Sequence, residues 1–469
     1  MNGIMLALTR IAAACVFCAA LPVGSIAAVP AGITQAIAAQ HLPSSAVSFV
    51  ILEADSGHVV MGQNTDTPRS PASTIKTVTT FAALDMLGPT FMWQTRAWTH
   101  DGDLVLQGGG DPYMTLERWW SFVQALRAQG LKSIRGDIII DDTAFSLEKE
   151  DPGAFDGRPN RSYNVLPDAL MVNFQSIEFK LVADADSRQV QVIASPTPVN
   201  LDVENRIRFA PGRCSGAAGR VDFQVASAQW DRVVFSGALS PHCAARSFAR
   251  VLLKPATYAF GTFVELWHQS GGEFTGQLRI EPTPADAKPV FSFDSLSLGE
   301  IVRLTNKHSS NLMARHLLLT LGKERFGNPA TVEKGAAAIA DWGHERGFDL
   351  AGVDIDNGSG LSRRTHISVL QMATVLNAAY HSRFAPEYLA SFPLAGMDGT
   401  LRTRMKSSPA GSVRLKTGHL DGVSGVAGYV TNSAGKTFIL VSLVNHVRAD
   451  FGAAEPVHAA LVAWIQGNL

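Results

Sequence analysis

Ser73-Thr74-Ile75-Lys76 sets a hydroxyl and an amine three residues apart, and on a helix residues so spaced share a face. A serine hydroxyl is a poor nucleophile at neutral pH and needs a base within hydrogen-bond reach. One turn of Ser-x-x-Lys supplies both, and the chemistry it permits is formation of an acyl-enzyme. Alone the tetrapeptide is unspecific, because a lysine in a first helical turn is ordinarily a solvated surface residue. Two later groups change its weight. In Ser309-Ser310-Asn311 a hydroxyl can relay a proton between Lys76 and a leaving amine, and an amide can orient both the lysine and a substrate carbonyl. Lys416-Thr417-Gly418 adds a cation and a hydroxyl ahead of a strand-rich stretch.

The elements that must carry these residues are legible. Val47 to Glu53 and His58 to Met61 flank Ala54-Asp55-Ser56-Gly57, turn chemistry between two strands. From Ser73 to Leu87 apolar residues recur at helical spacing (Ile75, Val78, Phe81, Leu84, Leu87), with Ser73 in the first turn, where unpaired N–H groups favour developing negative charge. Ser297 to Leu321 reads as two helices broken around Lys307 to Asn311. Ser412 to Lys416, Gly425 to Val430 and Thr437 to Val444 read as strands, the last two a hairpin, and Ala453 to Gln466 as a closing amphipathic helix. Strands and helices at both ends make one α+β domain, an antiparallel sheet flanked by helices, from residues 29–92 and 288–469. Residues 93–287 are an insertion in two parts, a β-α-β unit over about 93–160 and a β-rich stretch over about 161–287.

A chain of 469 residues with 46% hydrophobic and 17% charged content has ample core for two or three domains. Net charge is −1 and no basic run occurs, which leaves no support for nucleic-acid binding. Residues 1–28 carry one positive side chain, a short apolar run from Ile11 to Leu21, then Pro22, Gly24 and small residues up to Ala27 and Ala28. This is the pattern of a cleaved secretory leader. Its apolar run is short against the ~20 residues a membrane span needs. Cleavage leaves two cysteines, Cys214 and Cys243. An exported protein with two cysteines is expected to pair them, a structural bridge contributing roughly 3–4 kcal/mol in a chain-entropy account; two buried free thiols are the alternative. The 13 histidines form no His-Glu-x-x-His and no paired Cys/His spacing, so neither a metal nor a cofactor is expected. Gly108-Gly109-Gly110 has no following Gly-Lys-Ser/Thr and reads as a tight turn.

The three motifs, in this order and each in its element, resemble those of the penicillin-recognising serine D,D-peptidases, specifically the low-molecular-mass class C D-alanyl-D-alanine carboxypeptidase/endopeptidases. The likeness extends to Gly108-Gly109-Gly110-Asp111-Pro112, Asn357 to Arg363 and Phe392 to Leu401, and covers nearly all of the mature chain. It implies the serine β-lactamase/D,D-peptidase fold with inserted accessory β-rich domains, a periplasmic location, and peptidoglycan stem peptides and β-lactam inhibitors as ligands. Peripheral membrane association and a dimer are compatible with it. By the same resemblance Ser73 is the acylated nucleophile, Lys76 its base, Ser309 a proton shuttle, Asn311 a positioning group and Lys416 with Thr417 the carboxylate anchor. Gly418 admits the ligand to the strand, and the backbone N–H groups of Ser73 and His419 form an oxyanion hole. Arg363, and more remotely Asp141 and Phe145, match residues that reach the far end of the stem peptide. Two positions depart from the pattern: His419 stands where relatives have a small hydroxyl residue, and Asp421 where some have Gln. The rival readings are a β-lactamase on the same scaffold, disfavoured by the large insertion, and a non-catalytic wall-binding module, disfavoured by the intact motif residues.

Overall fold

The computed structural model describes residues 28–469; the expected leader lies outside the described residues. A five-stranded antiparallel sheet runs in the order Val413–Leu420, Val423–Thr431, Thr437–Asn445, Val47–Glu53, Val59–Gln63. Both ends of the chain therefore build one sheet, with Val47–Glu53 paired to Thr437–Asn445 from Val47↔Val444 to Glu53↔Phe438. Side chains alternate between its faces. Val50, Leu52, Tyr429, Val441 and Leu443 meet the helices Lys76–Leu87, Asn311–Phe326, Val332–Glu345 and Val369–Tyr380. Phe49, Ile51, Val426, Leu440 and Val444 meet Ala31–Ala39 and Ala454–Asn468. Burial on both faces is why Val47 to Leu52 reads as a near-continuous apolar run.

The accessory region is nested differently from the expectation. A second five-stranded sheet has the order Leu278–Ile280, Ile138–Asp141, Asp103–Gln107, Gln94–His100, Lys288–Asp294. Lys288–Asp294 pairs antiparallel with Gln94–His100, so the accessory fold closes at Asp294 rather than at 287. Leu278–Ile280 pairs in parallel with Ile138–Asp141. The helices Leu116–Ala128 and Pro255–Gln269 share one aromatic core through Trp119, Phe122, Phe263 and Trp267. The β-α-β unit of about 93–160 is thus completed by segments from the other side of the β-rich part. That part shrinks to Ser176–Val251, two three-stranded sheets around Phe179, Phe223, Phe235 and Phe248. Cys214 and Cys243 form a disulfide within it.

Candidate active site

Ser73 lies in the 3-10 turn Ala72–Ile75, from which the helix Lys76–Leu87 continues without a break. Lys76 is fully buried. Its Nζ is 2.8 Å from Ser73 Oγ, 2.7 Å from Asn311 Oδ1 and 2.5 Å from the carbonyl oxygen of Ser359. None of these acceptors carries a charge. Burial, and second the charge of Lys416, hold the amine well below its ordinary range. A buried amine of lowered pKa beside a half-buried hydroxyl can take the serine's proton.

Ser309-Ser310-Asn311 forms the corner between two helices, and each residue has its own task. Ser309 ends Leu298–His308 in a left-handed conformation (φ 58°) with its N–H bonded to Thr305 O. Ser310 caps Asn311–Phe326 by accepting from the Met313 N–H. Asn311, first in the new helix, turns its Oδ1 to Lys76 and donates Nδ2–H to the carbonyl oxygen of Tyr163 at 3.0 Å. Tyr163 belongs to the accessory region.

Lys416, Thr417, Gly418 and His419 lie inside the edge strand Val413–Leu420. The Val413 carbonyl accepts from Ala395 N–H and the Leu415 N–H donates to Pro393 O, both away from the sheet. By the period of two along a strand, Thr417 and His419 present their backbone groups to the same open edge. The nucleophile turn sits against that edge. A Cβ on Gly418 would lie 2.7 Å from Pro71 O and 3.0 Å from Ser73 N, so glycine is required for the approach. Lys416 is fully buried; its Nζ is 2.7 Å from Ser309 Oγ and 2.6 Å from Thr417 O, and burial lowers its pKa to about 7. Thr417 Oγ1 is 2.8 Å from Thr400 Oγ1. The His419 side chain is exposed.

Ser73, Lys76 and Asn311 thus form one hydrogen-bonded group and Ser309, Lys416 and Thr417 a second, brought side by side by the helix corner and by the approach of Gly418 to the nucleophile turn. Arg363 stands at their rim: Nη1 donates to Asp421 O at 2.8 Å, and the guanidinium lies 5.1 Å from the Phe155 ring centroid. Phe155 also packs on Ala72, Leu361, Leu420 and Val423. Beside Arg363 a cavity of about 630 Å³ opens between accessory region and peptidase body, with Asn164, Arg315 and Leu361 in its wall.

Asp141 and Phe145 are placed elsewhere. Asp141 is buried and takes hydrogen bonds from Thr143, Thr283 and Gln107. Burial opposes its charge, but these donors outweigh it and hold the carboxyl below its ordinary range. Phe145 packs against Gly110 and, edge to face, against His316. Their neighbours make them joints of the fold, whereas the accessory residues at the rim are Phe155 and Tyr163. Tyr163, Ser359 and Thr400 were not singled out from sequence. Ser359 lies within the Asn357 to Arg363 motif and Thr400 within Phe392 to Leu401, but their contacts, like that of Tyr163, exist only once the chain is folded.

A family model described as the D-Ala-D-Ala carboxypeptidase 3 (S13) family matches residues 29–467. The chain belongs to this family. It is accordingly a serine-type D-Ala-D-Ala carboxypeptidase. It is similar to the D-alanyl-D-alanine carboxypeptidase DacB of Haemophilus influenzae, 25% identical over 418 residues that cover 87% of each chain. The D-alanyl-D-alanine carboxypeptidase of an Actinomadura species is 26% identical over 432 residues, 86% of this chain and 78% of that one. The crystal structure of penicillin binding protein 4 (dacB) from Haemophilus influenzae covers 92% of this chain and 99% of its own, with a TM-score of 0.75 at 23% identity. A second structure of it, complexed with a β-lactam, has a TM-score of 0.71 at 23% identity, over 88% of this chain and 93% of that one. At that identity the structural likeness speaks for the D,D-peptidase fold. Among the described residues no helix is long and apolar enough to cross a membrane.

Proposed function

We propose that Ser73 carries the acyl-enzyme of an exported carboxypeptidase that also cuts cross-links between peptidoglycan stem peptides. The observation that carries this reading is the 2.8 Å contact of a fully buried, uncompensated lysine amine with Ser73 Oγ. Ser73 Oγ bonds to the penultimate D-alanine carbonyl carbon as neutral Lys76 takes its proton. The oxyanion is met by the N–H groups of Ser73 and His419, donors each worth roughly 10²–10³ in turnover where measured in other enzymes. The amide C–N bond then breaks, and the proton passes by way of Ser309 to the departing amine. Water enters and releases the shortened peptide. Lys416 and Thr417 hold the terminal carboxylate, while Arg363 and the Phe155–Tyr163 loop border the rest of the stem. A β-lactam, already a ligand of the Haemophilus relative's fold, would acylate Ser73 and leave slowly.

Fluorescent penicillin labelling of the wild type and a folded Ser73→Ala variant tests the nucleophile; equal labelling of both would sink the assignment. Digestion of cross-linked muropeptides followed by mass spectrometry tests the wider substrate range. Cross-link cleavage should appear beside D-alanine release and vanish with Ser73.

A further inference from the structure

The loop from Leu394 to Leu401 runs alongside the open edge of the Lys416 strand: Leu394 bridges to Arg414, and Ala395 N–H donates to Val413 O. Asp398 organises it. One carboxylate oxygen accepts from Leu394 N–H at 2.8 Å, and the other is 2.6 Å from Lys307 Nζ. Lys307 is almost wholly buried and lies two residues before Ser309. Gly399 follows with φ +54°, and a Cβ there would sit 2.7 Å from the Lys307 carbonyl oxygen. Lys307 therefore meets the loop twice, by its ammonium on Asp398 and by the close approach of its carbonyl to Gly399. The residue delivered by this clamp is Thr400, half-buried, whose hydroxyl oxygen is 2.8 Å from that of Thr417.

We propose that Thr400 is a positioning residue for recognition of the substrate's terminal carboxylate, held in place by the Lys307–Asp398 pair. The inference rests on the reading of Lys416 and Thr417 as the carboxylate end. Thr417 has one hydroxyl proton, which it donates to Thr400 Oγ1. When a carboxylate arrives, Thr400 becomes the donor to Thr417 Oγ1, and the Thr417 proton turns to the ligand. Two hydroxyl rotations suffice and no heavy atom moves. Thr400 also favours the Thr417 rotamer that makes the 2.8 Å contact, because that hydrogen bond is lost in the others.

The test compares kcat/KM for a peptide ending in D-Ala-D-Ala with that for a thioester of the same acyl group whose leaving thiol bears no carboxylate. Thr400→Val should lower the first about 2- to 12-fold, the range for a hydrogen bond between neutral groups, and leave the second unchanged. Thr400→Ser should restore the first. Asp398→Asn should give the same pattern at smaller amplitude. An equal fall on both substrates would mean a merely structural role and would overturn the proposal, as would no fall on either. Lys416→Ala serves as the control for the underlying reading. If it fails to narrow the preference for the carboxylate substrate, the carboxylate end has been misassigned and the role of Thr400 falls with it; if only Thr400→Val fails, the site reading stands.

Discussion

Lys76 and Lys416 share a side chain and a complete exclusion from solvent, but their neighbours differ. Lys76 is met by oxygens from three separate segments: the nucleophile turn, the Asn311 corner and the Ser359 loop. Lys416 is met by Ser309 Oγ and by the carbonyl of the next residue on its own strand. Neither has a carboxylate partner among these contacts. The first amine is immobilised with its uncharged form favoured, as suits a base. The second is placed where a strand edge stops being paired, as suits an anchor for a charge that the substrate brings.

Removing the two amines should separate these tasks. Lys76→Ala should lower kcat/KM by about 10⁴-fold or more, as for loss of a member of an acid–base unit, and should slow penicillin acylation in parallel. A loss of less than tenfold would contradict the base assignment. Lys416→Ala should lower kcat/KM by about 10- to 100-fold, chiefly through KM, because it removes binding made before and during reaction.

The pH profile sharpens the contrast. On the proposed roles, Lys76 acts as the neutral amine and Lys416 as the ammonium. In the free enzyme Lys416 loses its proton near pH 7, so kcat/KM should fall on the alkaline side from about there, while the lowered pKa of Lys76 sets the acid limb. A bound carboxylate favours the Lys416 ammonium, so the alkaline limb of kcat should lie higher than that of kcat/KM. In Lys416→Met the alkaline limb should disappear. The acid limb should move up, because the charge that depresses Lys76 is gone.

The smallest effect is on stability. The unfolded chain holds the Lys416 proton up to about pH 10.4, whereas the folded chain releases it near 7. Between these values the unfolded state binds more protons, so this residue's contribution to stability rises with pH. Below 7 both states are protonated and folding carries the full cost of burying the charge. Lys416→Met should therefore stabilise the protein by about 1–3 kcal/mol at pH 6–7, with the gain shrinking toward pH 10 in urea unfolding. A gain independent of pH would show that the amine is not buried as a strained cation.

Much of this site could be read before folding because its parts are local. Ser73 and Lys76 share a turn, Ser309 to Asn311 occupy a helix corner, and the strand of Lys416 announces itself by apolar alternation. What could not be read are encounters between distant segments. Ser359 contributes a backbone carbonyl, which no side-chain motif encodes. Thr400 matters through a neighbour seventeen residues on. Asp141 and Phe145 were drawn toward the substrate by resemblance alone, and the donors around Asp141 and the ring contacts of Phe145 give them other work. The accessory boundary was missed for a similar reason: the strand Lys288–Asp294, with Val290, Phe291 and Phe293 half-buried, is assigned to the accessory fold only by its pairing with Gln94–His100.

An amide side chain has two nearly isosteric orientations, and only one of them shows Lys76 an oxygen. The Tyr163 carbonyl selects it, since the reversed amide would set two oxygens against each other there and two hydrogen-bond donors against each other at Lys76. The accessory region thereby acts on the reaction as a polariser acts on light, admitting through one backbone carbonyl one of two otherwise equal alignments.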